Sequence, residues 1–595
     1  MLRLIGRVFL YLFAAFGGFI LLLIAGLVVF AIQAREEPAT PEKVVLSIDI
    51  GRGIVERPSA GIFSAFGEKS GLVLRDVVRA ISAAAKDDRV EGLILDVGEG
   101  GLSIAHAQAI RRAVVEFRKS GKFAFSFSES YGGLGNGTVA YYLASGADKV
   151  WIQPSGTVGF IGLAIEAPFF AEALDKLDVE ARYEQRHEYK GAGEMFVRSG
   201  FSDEARSSLQ SLIDSWMDQI SRQIAAARGL AVADVKGLAE TAPMLAGEAL
   251  AAQLVDELAY RDQFENAVAK EAGPAAESLA VEQYLRIAPE SASGGPKVAL
   301  VTGVGTIVPG TGDETPFDED RQFAADRIAD AILEAADDES IAAIVVRIDS
   351  PGGAYGASDT VWRAIHVARE AGKPVVASLG GTAASGGYFI AMAADRIVAE
   401  AGTVTGSIGV FAVKFATVEF WRNLGIEWDR VQSGPRATIS SVIEDYPPGG
   451  AKRMSAILDA IYKDFTSKVA SARNLDADAV DLAARGRVWS GEAAQQVGLV
   501  DEIGGLETAL DEVRKRLDLA PDSPLTVVTL PKPSRIEQFV NAMREQGLGA
   551  ETGVFRIASL VLPSAFSLGE GTVERLGLLA PPKGVLQMPA WRVAD

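Results

Sequence analysis

The sequence predicts an α/β protein: one domain of roughly 240 residues, written twice, behind an apolar N-terminal segment. Three observations carry this. Long stretches recur at a nearly constant spacing, β-like apolar runs alternate with helical patterns, and the chain is 48% hydrophobic, enough to build sizeable cores.

The repeat is the strongest of the three. Asp76–Gly98 (DVVRAISAAAKDDRVEGLILDVG) is matched by Asp326–Asp349 (DRIADAILEAADDESIAAIVVRID), at an offset of about 251. Tyr141–Val150 answers Tyr388–Ile397, Thr157–Gly162 answers Val404–Gly409, and LVDE occurs at both Leu254–Glu257 and Leu499–Glu502. The runs Gly92–Val97, Ala342–Ile348 and Pro374–Leu379 read as strands, with helical patterns between them, so each copy is a series of βαβ units. Ala288–Lys297 (APESASGGPK) is a polar Pro/Gly/Ser linker.

At the N-terminus, Val8–Ile32 is uncharged and mostly apolar, preceded by Arg3 and Arg7. It is longer than the apolar region of a cleavable signal peptide and long enough to span a bilayer. The expectation is a single-pass anchor, residues 8–32, after a cytoplasmic stretch 1–7. A linker 33–42 follows, then the first copy 43–287, the linker 288–296, the second copy 297–519 and a tail 520–595. The apolar stretch Phe555–Leu562 in the tail is too short to span. The two arginines place the remaining body across the membrane, which in a bacterium is the periplasmic side of the inner membrane.

Composition removes several chemistries. With no cysteine there are no disulfides, thiolate nucleophiles or Cys-ligated metals. A net charge of −20 argues against a nucleic-acid-binding body. A histidine-based triad has three candidates, His106, His187 and His366, and none lies in a motif.

Two glycine-rich segments remain. Ser378–Asp395 (SLGGTAASGGYFIAMAAD) places Ser385 after a strand and at the start of a helix, beside unpaired backbone N–H groups. Read alone, Ser385 is an ordinary helix cap. Asp349-Ser350-Pro351-Gly352-Gly353 ends another strand, where backbone amides face an anion. Read alone, it is a Pro-Gly turn. Taken together, Ser385 as nucleophile and the amides of Gly353 and Gly386 as oxyanion donors suit acyl transfer. A neutral lysine can replace histidine as the base, and composition does not choose which lysine.

These motifs, with TGSIGVF and the lysine in HEYKGAGEMF, resemble the long, duplicated form of the signal peptide peptidase A family. Those proteins are membrane-anchored bacterial serine proteases of the ClpP/crotonase-type fold. The resemblance implies Ser385 as nucleophile, Lys190 as general base, Gly353 (or Gly352) and Gly386 as oxyanion donors, and Ser407 as the hydroxyl that holds the lysine. It also implies released signal peptides as substrates, a homotetramer and no cofactor or metal. At the repeat offset Ser385 falls on Thr138, Lys190 on Ala437 and Ser407 on Phe160, so each copy holds half a dyad. The rival functions are a crotonase-like acyl-CoA enzyme and a non-catalytic membrane scaffold.

Overall fold

The computed structural model describes residues 41–58, 71–98, 101–289, 294–312, 322–532, 585–587 and 592–593. The expected anchor, residues 8–32, lies outside them. Among the described residues no helix is long and apolar enough to cross a membrane.

Each copy is built on a parallel sheet in the same strand order. In the first, the order is Glu257–Leu258, Lys149–Ile152, Phe123–Ser128, Val90–Asp96, Lys43–Asp49, Ala276–Ala280. In the second it is Glu502–Ile503, Arg396–Ala399, Val375–Ala384, Ile341–Ser350, Lys297–Val304, Thr526–Leu530. All neighbours along both paths are parallel. The continuous apolar runs follow from this, because both faces of each sheet are covered. In the second copy, Ile344, Val346 and Ile348 pack toward helices Ala325–Asp337 and Tyr355–Glu370. Val298, Leu300 and Val345 on the other face pack against Leu506–Arg516.

The strand Thr526–Leu530 corrects the boundary expected at Leu519. It pairs with Lys297–Val301, as Ala276–Ala280 pairs with Lys43–Ser47 in the first copy, so the second copy runs to Leu530 at least.

The two copies are knitted together. The 26-residue helix Asp203–Arg228 of the first lays Leu209, Leu212 and Trp216 against Val404 and Val488 of the second. Trp216 Nε1 donates to Gly402 O at 2.9 Å, and Gly402 N donates to Gln108 Oε1 at 2.6 Å. Most important for the site, strand Glu180–Gln185 of the first copy pairs antiparallel with Phe411–Ala416 of the second. The first copy thereby hands its next residues to its partner.

Candidate active site

Strand Val375–Ala384 runs directly into helix Gly386–Ala391, and Ser385 is the residue between them, with φ 55° and ψ −113°. A side-chain-bearing residue there is strained by about 1–3 kcal/mol. The surroundings impose it: Ser385 N donates to Gly406 O at 2.8 Å, and its carbonyl accepts from Phe389 N at 2.8 Å. Tyr388 and Phe389 on the following turn are locked in the core. The hydroxyl makes no capping hydrogen bond, so the ordinary helix-cap reading fails and Ser385 Oγ is left for another partner. Its flanks must be small, since a Cβ on Gly386 would stand 2.6 Å from Ser358 Oγ and one on Gly387 2.9 Å from Ser350 O.

That partner is Lys190. After the strand Glu180–Gln185 the chain turns at His187, whose φ is 61°, and presents Lys190 just before the 3-10 turn Gly191–Phe196. Glu194 in that turn accepts from Ser202 N (3.1 Å) and Ser202 Oγ (2.7 Å), which ties it to the start of the long helix. The Tyr183 hydroxyl donates to the Lys190 carbonyl. The lysine is 0% exposed. Its Nζ lies 2.7 Å from Ser385 Oγ, 2.9 Å from Ser407 Oγ and 2.7 Å from Ser407 O. Burial holds its pKa well below the usual lysine range. A neutral amine has two protons and one lone pair. Donating to both Ser407 oxygens leaves the lone pair for the Ser385 proton.

Sequence reasoning missed the two glycines that make room for this lysine. A Cβ on Gly486, where φ is +89°, would stand 2.4 Å from Lys190 N, and one on Gly409 3.1 Å from Lys190 Cδ. Arg487 completes the clasp: its guanidinium lies 4.4 Å from the Tyr189 ring centroid, and its carbonyl accepts from Ser407 N at 2.7 Å. Nothing local in RGR at 485–487 signals this, because its partners are some 300 residues earlier in the chain.

The two glycine loops converge. A Cβ on Gly386 would lie 3.1 Å from Gly353 N, so the backbone after the nucleophile and the end of DSPGG are in contact. Gly352 N already donates to Ser350 Oγ at 3.1 Å, which favours Gly353 of the two candidates. Gly386 opens a helix, where an N–H has no intrahelical acceptor.

The histidines lie elsewhere. His187 packs tilted against Tyr462 and His366 against Trp362. His106 Nε2 is 3.2 Å from Glu56 Oε1 in a cluster that joins both copies. There Arg347 binds Glu56 through Nε at 3.0 Å and through Nη2, and donates to Ser378 Oγ at 2.9 Å. Burial pushes the Glu56 pKa up, but Arg347 and His106 outweigh it and hold the carboxyl well below the usual range. Asp349 sits beside them at the root of the DSPGG loop and accepts from Thr382 N at 2.9 Å. Burial and the Glu56 charge push its pKa up. Oxygens and nitrogen of Glu56, His106 and Asp349 lie within 4.8 Å of one another. A cation there would have to displace the guanidinium of Arg347, so the donor set suits the ion pair better than a metal.

The corresponding place in the first copy is closed. Thr138 Oγ1 exchanges hydrogen bonds with Gly162, and Phe160, standing where Ser407 does, is buried against Tyr141.

The chain is similar to known proteins along most of its length. The family model of peptidase family S49 matches residues 130–274 and 367–520, one stretch in each copy. Protease 4 of Salmonella typhi is 34% identical over 497 residues, 80% of this chain and 78% of the relative. The chloroplastic serine protease SPPA of Arabidopsis thaliana is 29% identical, covering 78% of this chain and 69% of that one. A solved structure of a ClpP1 point mutant from Listeria monocytogenes aligns over 94% of its chain and 36% of this one, at 16% identity and a TM-score of 0.24. With both halves of the chain matched by the same family model, and a relative at 34% identity along most of its length, this chain is a serine protease and belongs to peptidase family S49.

Proposed function

We propose that Ser385 and Lys190 form the catalytic dyad of a peptide-bond hydrolase, and one observation carries the reading. A fully buried lysine amine stands 2.7 Å from the hydroxyl of a strained serine, with its remaining contacts made to Ser407. Neutral Lys190 takes the Ser385 proton as Oγ attacks the scissile carbonyl. The amides of Gly353 and Gly386 stabilise the oxyanion, each worth about 3–4 kcal/mol by analogy with a measured oxyanion donor. The Lys190 ammonium then returns the proton to the leaving amine. The acyl-enzyme is cleared by a water that Lys190 deprotonates in turn. Ser407 orients the amine throughout.

The substrates on this reading are signal peptides after their release and other short apolar segments near a bilayer. Support comes from an apolar recess beside Tyr189 and Gly191, lined by Phe169, Phe201, Leu209 and Val488. The uncharged run 8–32 supports an anchor in the inner membrane with the body in the periplasm, which raises the local concentration of membrane-derived peptides. Self-assembly into a tetramer is supported by exposed Leu424, Ile426, Trp428 and Val431, clustered in one short segment. No observation favours the acyl-CoA or scaffold readings.

The test is hydrolysis of a short apolar peptide ester. Ser385→Ala and Lys190→Ala should each abolish turnover while still unfolding in a cooperative thermal transition. Turnover surviving in either variant would remove that residue from the dyad.

A further inference from the structure

The strand that leads to the DSPGG loop, Ile341–Ser350, and the strand that leads to Ser385, Val375–Ala384, form a parallel ladder that slips just before both reach the site. Ile348 pairs with Leu379, but the next pair is Ser350 with Ala383. A single residue, Asp349, therefore faces Gly380, Gly381 and Thr382. Such a slip takes amides away from their ladder acceptors, and an amide inside the fold must find another. The Asp349 carboxylate supplies one: its Oδ1 accepts from Thr382 N at 2.9 Å. The Asp349 carbonyl is tied down as well, accepting from Gly305 N at 2.9 Å. Glycines make the room, since a Cβ on Gly380 would stand 2.7 Å from Asp349 Cβ. One on Gly381 would stand 3.2 Å from Ser103 Oγ, which belongs to the first copy.

We propose that Asp349 is a positioning residue of the active site, its carboxylate fixing the stagger between the strand that ends at Ser385 and the loop that carries the Gly353 amide. Thr382 stands three residues before Ser385, and Asp349 four residues before Gly353, so one hydrogen bond sets nucleophile against oxyanion donor. What is being positioned rests on the dyad and oxyanion assignments above; the clamp itself stands on the register and the hydrogen bond alone. Two further observations agree. In the repeat, Gly98 answers Asp349, so the copy whose Thr138 position is closed has no carboxylate at this place. In the copy that carries Ser385, Asp349 stands beside Glu56 and His106 of the other copy and two residues after Arg347 on its own strand. Packing between the copies thus reaches the oxyanion loop as it reaches Lys190. A misplacement of about 1 Å at a reacting centre costs about 10²-fold in rate, and the stagger error falls on the reacting atoms rather than on substrate binding.

The experiment uses the full chain and the short apolar peptide ester. Asp349→Ala removes the acceptor and should lower kcat about 10²-fold while KM moves by less than about 3-fold. Asp349→Asn keeps an oxygen for Thr382 N and should restore kcat at least about 10-fold over Asp349→Ala. Gly380→Ala brings a Cβ to 2.7 Å from Asp349 Cβ and should reproduce the kcat loss in a chain that keeps its carboxylate. Amide hydrogen exchange at Thr382 should quicken in Asp349→Ala and Gly380→Ala and stay slow in Asp349→Asn, a readout that needs no turnover. Should Asp349→Ala fail to fold, the other two variants carry the same contrast. Parental kcat in Asp349→Ala or Gly380→Ala, or an asparagine variant no better than the alanine one, would overturn the proposal. Turnover surviving in Ser385→Ala would instead remove the dyad reading, and Thr382 exchange would still report the clamp.

Discussion

Replacing Lys190 by methionine tests the electrostatic core of the site. The side chain keeps a similar length and loses its amine in a pocket where the lysine is 0% exposed. Burial holds the lysine pKa well below its usual range, so folding releases a proton that the unfolded chain keeps up to about pH 10.4. Between those two values the native state binds fewer protons than the unfolded state, and wild-type stability rises with pH by about 1.4 kcal/mol per unit. Keeping the amine neutral below the unfolded pKa costs the fold, and that cost fades as the pH rises toward about 10. Its three contacts, to Ser385 Oγ, Ser407 Oγ and Ser407 O, offset about 1 kcal/mol each. Lys190→Met is therefore expected to be about 3 kcal/mol less stable than wild type near pH 10, through loss of the three contacts, and to recover relative to wild type as the pH falls toward 7. Scanning calorimetry of both proteins should show Lys190→Met melting roughly 6–12 °C below wild type near pH 10, with the gap closing toward pH 7. Turnover should fall by at least about 10²-fold, as expected for loss of a general base. A Tm difference that stays constant across this pH range would mean the lysine is charged in the fold, and would refute the reasoning.

Backbone strain and steric room are open to similar tests. Ser385→Gly removes the side chain from φ 55°, ψ −113°, and should raise Tm by about 2–4 °C while abolishing turnover; a lower Tm would show that the conformation carries no strain. Gly486→Ala places a Cβ 2.4 Å from Lys190 N and should lower kcat/KM by about 10²-fold through misplacement of the amine. Undiminished activity there would mean the lysine segment shifts without consequence.

Much of this architecture is legible in the chain itself. The repeat predicts two α/β copies, and the runs at Gly92–Val97, Ala342–Ile348 and Pro374–Leu379 fall within or overlap observed strands. Ser385 at a strand end is readable for the same reason: a buried strand and the small residues around a sharp turn are local features. The C-terminal limit of the second copy is not. Thr526–Leu530 (TVVTL) is only five residues long, and its role as an edge strand depends on Lys297–Val301 far upstream. The cluster of Glu56, His106, Arg347 and Asp349 is equally invisible, since its charges come from both copies and meet through packing.

By itself, then, the sequence determined that the chain holds two copies of one domain, that cysteine chemistry is absent, and that a serine flanked by small residues stands at a strand-to-helix junction. Local patterns suffice for each of these. Tertiary structure alone decided which amine reaches that serine. Lys190 arrives because strand Glu180–Gln185 hydrogen-bonds to Phe411–Ala416 of the other copy and because Gly409 and Gly486 leave room for its side chain. Its lowered pKa follows from burial, and burial is a property of the packed fold rather than of any segment.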